Sequence, residues 1–435
     1  MGIFISMSFA NTYIEKQQVY PFQINQKIED LAYCIVIPAY NEPDIITTLN
    51  SIWNCIQPAS VFAVIICINS NNQTSSEILE QNETTFRQLE KWISKHKSWK
   101  LHFFITHFKN IPYKYRGAGM ARKLAMDEAV NLFNKGDNPN GIIISLDADV
   151  EVEKNYLVEI ETFYTKNKKA IGAVHYFEHP VSGSKFSEEQ YKAIINYELY
   201  LRYFNQSMRY TGFPYIHHTV GSCFSVKAKT YVAQGGMNRQ HAGEDFYFIQ
   251  KIAQLGNFGE INSTTIYPSP RVSDRVPFGT GPEIKNILNC GNDEYLVPNF
   301  ESFIDLKSTL HIFQSLYGLN NIDVEKSYHQ LPASIKLFIS QDELTGKINE
   351  VNKNTSSETS FIKRLLNWFN VFKMIKFLNF IHENEFYKKE DVLIGAQKLL
   401  HAFESKKEID SKKEMLNFFR ELDNSGFYYT NLLQQ

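Results

Sequence analysis

The sequence predicts an α/β fold: a mainly parallel sheet flanked by helices, followed by a C-terminal helical appendage. Two observations predict it. Through the first half of the chain, short apolar runs rich in Ile and Val alternate with longer segments of helical period, the pattern of βαβ units. From about residue 300 the sequence turns Phe-, Leu- and Lys-rich, with helical spacing.

Strands are expected at YCIVIP (33–38), VFAVIICI (61–68), KLHFFIT (100–106), GIIISLD (141–147) and IGAVHY (171–176), with helices filling the gaps. The first run ends at Pro38 and the fourth at Asp147, and ligands of open α/β sheets gather at such carboxyl ends. After about residue 210 the pattern loosens into GSCFSVK, a helix opened by GEDFYFIQKIAQLG, and a loop, YPSPRVSDRVPFGTGPE. The polar stretch GKINEVNKNTSSETS (346–360) reads as a linker inside the C-terminal third. There is no internal repeat. These shifts divide the chain into an N-terminal extension (1–30), a sheet domain (31–299) with an active-site loop at 268–284, and a mainly helical region (300–435).

Composition removes several classes. At 435 residues and 43% hydrophobic, the chain can bury one large core or two smaller ones. The 45 Lys and Arg nearly balance 47 Asp and Glu, for a net charge of -2, so nothing favours a nucleic-acid partner. Cysteines at 34, 55, 67, 223 and 290 are odd in number and lack CxxC spacing. Buried thiols in a reducing, cytoplasmic compartment are expected, with neither a zinc site nor a disulfide framework. No segment approaches the ~20 uninterrupted apolar residues that span a bilayer. The N-terminal MGIFISMSFA lacks a basic start and a cleavage site, so it does not read as a signal peptide. Gly2 and Ser6 fit the myristoylation pattern, which is short enough to arise often by chance.

The chemistry starts at SLDADVEV. In an extended segment Asp147 and Asp149 would point the same way and repel each other. A hard divalent cation, Mg²⁺ or Mn²⁺, would relieve the repulsion and be completed by phosphate oxygens. Ala148 between them would leave room for a nucleotide. The plainer alternative is an acidic turn in which Asp149 caps a helix beginning near Glu153. Asp-x-Asp by itself is weak evidence.

Its surroundings strengthen it. IVIPAYNEPDIITTLNSI (35–52), GAGMARKLAMDEAV (117–130), SLDADVEVEKNYL (145–157) and GEDFYFIQKIAQLG (243–256) occur in one order and at one rough spacing. Together they resemble a family 2 glycosyltransferase of the GT-A, Rossmann-like fold over roughly residues 31–265. The resemblance implies that Pro38, Tyr40 and Glu42 contact the nucleoside of a sugar nucleotide and that Arg122 lies near the donor. It implies that Asp147 and Asp149 hold the metal on the diphosphate, that Asp245 is the catalytic base, and that Glu244 is its neighbour on the acceptor side. Two positions depart from the family pattern. Lys123 stands where the family has asparagine after the arginine. The stretch Asn69, Ser70, Asn71 replaces the aspartate that reads the base. An asparagine carbonyl can still accept from a uracil or guanine ring N–H, and UDP is favoured on family grounds alone.

The residues have chemical reasons to be there. A metal on the diphosphate stabilises the leaving group as its bond breaks. A positioned carboxylate contributes ~10²- to 10⁴-fold as general base, and at a helix start the dipole is expected to keep Asp245 ionised. A single displacement inverts the anomeric centre, which is the expectation here. In the loop 270–283, Arg271 or Arg275 is expected to close over the diphosphate, its planar fork suiting phosphate oxygens, with Gly279 and Gly281 permitting movement. The alternative is a set of salt bridges among Arg271, Asp274 and Arg275. The histidines at 175, 217, 218 and 241 are left out of the metal set; His217 and His218 would face opposite ways in a strand.

The acceptor is expected to be a glycan, a lipid-linked molecule or a small molecule. FIKRLLNWFNVFKMIKFLNFIH (361–382) has four basic residues, no acidic one and many large apolar ones. As one helix it could lie on an anionic membrane at the inner face, but its apolar residues surround most of the helix, which favours packing inside the appendage. Two rivals remain. A sugar nucleotidyltransferase would show a Gly-rich, Lys- or Arg-bearing loop after the first strand, where this chain has PAYNEPD. A non-catalytic relative acting as a binding module would not need both Asp149 and Asp245.

Overall fold

The structure is a computed structural model that describes residues 8–240, 243–273, 275, 279–291 and 294–426. Its contacts group into two compact units. One runs up to Tyr191 and resumes over Thr219–Asn286; the other joins Lys192–His218 to the chain from Ile287 onward. These units run differently from the sequence boundaries: the N-terminal segment groups with the sheet, and most of the helix Glu188–Tyr210 groups with the C-terminal helices.

The first unit is built on an eight-stranded sheet of order β3-β2-β1-β4-β7-β6-β8-β5. Its strands are β1 (Leu31–Ala39), β2 (Val61–Asn71), β3 (Leu101–Ile111), β4 (Ile142–Ser145), β5 (Val150–Val152), β6 (Gly172–Phe177), β7 (Phe224–Lys227) and β8 (Phe258–Pro268). β1 pairs in parallel with β2 and β4, β2 with β3, and β6 with β8. β7 runs against β4 and β6, and β5 runs against β8. All five expected strands are present. β1 and β2 are buried on both faces, which is why they read as continuous apolar runs rather than as alternation.

The helices of this unit are α1 (Asn11–Gln17), α2 (Ile45–Trp53), α3 (Ser76–Lys95), α4 (Ala118–Lys135), α5 (Tyr156–Lys166), the start of α6 (Glu188–Tyr210), α7 (Ala228–Ala233), α8 (Glu244–Ala253) and the first part of α9 (Thr280–Cys290). α4 is buried from Gly119 to Phe133 and packs on β1 and β2. Met120, Leu124, Ala125 and Ala129 join Val36, Ala63, Ile143, Phe224 and Phe248 in one core cluster, each large side chain contributing ~2 kcal/mol of burial. The N-terminal segment closes over the far side of α4. The Ser8 hydroxyl donates to the Asn134 carbonyl at 2.8 Å, and Gln23 N–H donates to Glu128 at 2.7 Å. Tyr13 donates to Asp127 at 2.7 Å. Gly2 and Ser6 lie outside the described residues.

The second unit is helical: the rest of α6, then α10 (Glu301–Gln314), α11 (Asn321–Gln330), α12 (Ala333–Phe338), α13 (Gln341–Lys353), α14 (Glu358–Trp368), α15 (Val371–Glu383), α16 (Val392–Ala402) and α17 (Lys412–Asn424). A ribbon of β9 (Leu296–Val297) and β10 (Glu390–Asp391) accompanies them. The expected linker at 346–360 is not one. α13 covers its first half with Leu344, Ile348 and Val351 buried, and Ser357 opens α14 with a capping box. The segment 361–382 is two helices rather than one. Asn370 breaks it and caps α15, and Phe361, Leu365, Phe369, Met374, Phe377 and Ile381 are buried. Packing within the unit is where these apolar side chains go. Among the described residues no helix is long and apolar enough to cross a membrane.

Candidate active site

The carboxyl ends of β1, β2 and β4 lie side by side, and α3 ties the first two together. Asn82, 2% exposed, accepts from Asn41 N–H at 2.9 Å and donates to the Asn69 carbonyl at 3.1 Å. Thr85 donates to the Glu42 carbonyl at 3.0 Å. Asn41 itself has φ +56°, a left-handed turn that asparagine tolerates. The chain is thus held in place at Tyr40, Asn41 and Glu42, just after Pro38 at the end of β1. Asn69 is 8% exposed, and its Oδ1 has no hydrogen-bond partner among the described residues. Sequence reading missed Asn82 and Thr85, whose only signal was two polar residues on the inward face of an amphipathic helix.

Asp147 and Asp149 sit beyond β4, which ends at Ser145, in the turn that leads into β5. They are therefore placed by a turn and not by strand alternation. Ala148 is 1% exposed, and its carbonyl accepts from Thr48 of α2 at 2.9 Å. Its side chain is packed inside the protein, so it opens no room for a nucleotide. Asp149 does not cap the next helix, which starts at Tyr156 after Asn155.

Arg122, on the first turns of α4, is 3% exposed and meets protein on every side. Its Nη2 donates to Asp147 at 3.0 Å and its Nε to Glu244 at 3.2 Å. Its Nη1 donates to the Ser145 hydroxyl at 2.5 Å and to the Gly221 carbonyl at 2.8 Å. Burial works against this charge, but Asp147, Glu244 and Asp245 together hold the guanidinium above its ordinary value. Lys123 points elsewhere: it is 1% exposed and bonds Asp127 at 2.8 Å and Tyr13 at 3.0 Å. The family asparagine is thus replaced by a residue that anchors the N-terminal segment.

Glu244 and Asp245 open α8 behind Gly243, whose φ is +75°. Glu244 is 2% exposed and faces Arg122, so its side chain points into the protein rather than toward an acceptor. Asp245 is half-buried, and its Oδ1 accepts from the N–H of Phe246 at 2.7 Å. Burial first, then the charge of Glu244, push the Asp245 carboxyl up to about 7, against the pull of Arg122. The helix start does not hold it low as expected, because desolvation beside a second carboxylate outweighs the dipole.

Two glycines here were given no role in the sequence analysis. A Cβ on Gly221 would stand 2.5 Å from Arg122 Nη2 and 2.9 Å from Asp245 Oδ2, and one on Gly119 would stand 2.3 Å from the Gln240 carbonyl oxygen. Both glycines permit close approach rather than unusual backbone angles.

The loop after β8 supplies two arginines. Arg271 pairs with Glu42 at 2.6 Å and Asp149 at 2.7 Å. Arg275 pairs with Glu42, stands 3.7 Å from Asp149, and donates to the Tyr40 carbonyl at 3.1 Å. Asp274 lies outside the described residues, and the arginines bind carboxylates from the ends of β1 and β4. Gly281 is locked against Ser273, where an added Cβ would meet the Ser273 Cβ at 2.6 Å. It fixes the loop's base rather than loosening it.

Arginines meet both carboxylates, Arg122 pairing with Asp147 at 3.0 Å and Arg271 with Asp149 at 2.7 Å, and the two side chains stay 39% and 21% exposed. Burial raises the Asp149 carboxyl, Arg271 lowers it, and the charge of Asp147 raises it again, so the two carboxylates feel each other. Among the described residues no group of three or more His, Cys, Asp and Glu converges, and a cation that keeps waters and takes phosphate oxygens needs only one or two carboxylates. His175 is buried, bonds Tyr156 at 3.1 Å and Ser225 at 2.8 Å, and is pushed down to about 3 by desolvation. His218 pairs with Asp423 in the helical unit. His241 lies outside the described residues.

Fold and site together define an α/β protein with an acidic, arginine-rich centre at the carboxyl edge of a mainly parallel sheet. No family model and no curated protein matches the chain. Among solved structures it is similar to S. aureus TarS 1–349, at 13% identity and a TM-score of 0.37, covering 92% of this chain and 93% of that one. It is similar to the same protein in complex with UDP-GlcNAc, at 14% identity and 0.38 over the same shares. Against a longer TarS chain the values are 13% and 0.35, with 76% of this chain and 55% of that one covered.

Proposed function

We propose that the protein is a family 2 glycosyltransferase that moves a sugar from a nucleoside diphosphate sugar to an acceptor hydroxyl with inversion. The observation that carries this reading is the single buried guanidinium of Arg122, which joins Asp147 beyond β4 to Glu244 beside Asp245. Carboxylates for a leaving group and for a nucleophile are thereby built into one rigid centre.

In this reading Asp149 and Asp147 hold Mn²⁺ or Mg²⁺, which when bound neutralises charge on the departing diphosphate. Arg271 and Arg275, which pair with Glu42 and Asp149, would in this reading meet the diphosphate oxygens. Asn69 Oδ1, buried and without a partner among the described residues, suits the ring N–H of uracil, so a UDP-sugar is the proposed donor. Asp245 takes the proton of the acceptor hydroxyl as its oxygen bonds the anomeric carbon and the bond to the diphosphate breaks on the opposite face. A carboxyl at about 7 suits a base working at neutral pH.

Incubation with MnCl₂ and a panel of UDP-, GDP- and dTDP-sugars tests the reading. Release of nucleoside diphosphate, greatest with a UDP-sugar and lost on chelation, is the expected result. Release of pyrophosphate from a nucleoside triphosphate and a sugar phosphate would instead identify a nucleotidyltransferase. A nucleotide-dependent rise in Tm without turnover would leave only a binding module.

A further inference from the structure

Arg122 is the residue that the family resemblance places against the donor, yet its surroundings leave little of it to offer. Four of the five N–H groups that a guanidinium carries already bond Glu244, Ser145, the Gly221 carbonyl and Asp147. Its side chain is 4% exposed, whereas that of Asp147, which it holds, is 39% exposed. The four acceptors come from three separate places: Ser145 and Asp147 from β4 and the turn beyond it, Gly221 from the segment before β7, and Glu244 from the start of α8. Asp245 Oδ2 lies on the same side, since it and Arg122 Nη2 crowd one point above the Gly221 Cα at 2.9 and 2.5 Å.

Resting on the glycosyltransferase reading, we infer that Arg122 is a positioning residue and not a donor contact: it sets the leaving-group carboxylate and the base-bearing helix in fixed register. The planar fork is what the task requires. A lysine keeps the charge but offers a point of three rotatable donors, which cannot span acceptors on three elements. Ser145 relays the same geometry, donating to the Gly221 carbonyl at 2.7 Å while accepting from Arg122. Gly221 is the space that lets the guanidinium and the base carboxylate approach. A methyl there should disturb their register with Arg122 itself intact.

The role separates from donor binding in a split between affinity and turnover. The probes are the nucleotide sugar that the wild-type protein hydrolyses or transfers fastest in the panel and its free nucleoside diphosphate, each with MnCl₂. Arg122→Lys and Gly221→Ala are compared with wild type by calorimetric titration of the diphosphate and by kcat at saturating donor. The expected result is a diphosphate Kd within about threefold of wild type and a kcat at least ~100-fold lower in both variants, the pattern of an interaction that matters in the transition state. Should Arg122→Lys fail to fold, Gly221→Ala carries the test alone. A tenfold or greater loss of diphosphate affinity with kcat retained would overturn the proposal and restore Arg122 as a donor contact. Wild-type protein that neither binds nor releases any nucleotide would overturn the transferase reading, and the proposal with it.

Discussion

Asp245 occupies a position where a helix start and a buried setting pull its proton in opposite directions, and burial wins. Its carboxyl, at about 7 in the folded chain, ionises near 3.9 when unfolded. Between those values the folded chain holds a proton that the unfolded chain has released, so this group's contribution to stability is full below about 4 and fades as pH rises through 7. Asp245→Asn should therefore gain Tm relative to wild type from pH 5 to pH 8, as read by thermal unfolding. Activity should move the other way. A base must be ionised, so kcat/KM should climb about tenfold per pH unit below 7 and level above it. A flat profile from pH 5 to 8 would contradict the assignment. At this scale, Asp147, Asp149, Arg122 and Asp245 could each be singled out because each falls in a short stretch whose order along the chain is informative, and the structure brings Arg122 to Asp147 and beside Asp245. Their partners could not be singled out. The Glu42 contacts with Arg271 and Arg275 join residues more than 200 positions apart, and no local pattern records such a meeting.

Elements position these residues by where they end and how closely they approach. β1 and β4 deliver Glu42 and Asp147 to one edge, and α4 and α8 bring Arg122 and Glu244 together across Gly119. Gly119→Ala would put a methyl 2.3 Å from the Gln240 carbonyl oxygen. Overpacking of this kind costs ~1–3 kcal/mol, so Tm and turnover should both fall. Unchanged values in a thermal melt and a nucleotide-release assay would show that the approach is looser than described. The long buried strands were readable from their apolar runs. β5 was missed because three residues carry no period, and β8, FGEINSTTIYP, because its polar alternation suits a half-buried strand that resembles loop sequence. The supposed linker at 346–360 failed for a related reason. Its polar residues are the solvent face of α13 and a capped turn, and composition alone does not separate a helix's wet face from a loop.

Over the whole chain, each contact unit combines apolar burial with buried ion pairs: Arg122 with Glu244 in the sheet unit, and a network around Glu198 in the helical unit. Glu198 accepts from Arg202 Nε at 2.9 Å and from Arg420 at 2.8 Å, and Arg202 also binds Asp423. Burial opposes the charge of Asp423, but His218 and Arg202 outweigh it and hold its carboxyl well below the usual range. Removing one member of such a network leaves a buried charge without its counterpart, and Glu198→Gln should cost ~3–5 kcal/mol in denaturant unfolding. A loss below about 1 kcal/mol would mean that water reaches the network. The sequence does not announce this network, because Glu198 and Arg202, four apart on α6, meet Arg420 and Asp423 more than 200 positions away.

The proposed reaction divides labour between two carboxylates, with Asp149 serving the group that leaves and Asp245 the group that attacks. The most direct measurement is Mn²⁺-dependent UDP affinity and sugar transfer on the same two variants. Asp149→Asn should lose metal-dependent UDP binding, whereas Asp245→Asn should bind UDP like wild type and transfer ~10²- to 10⁴-fold more slowly. Equal loss of UDP affinity in both variants, or full transfer by Asp245→Asn, would contradict the account.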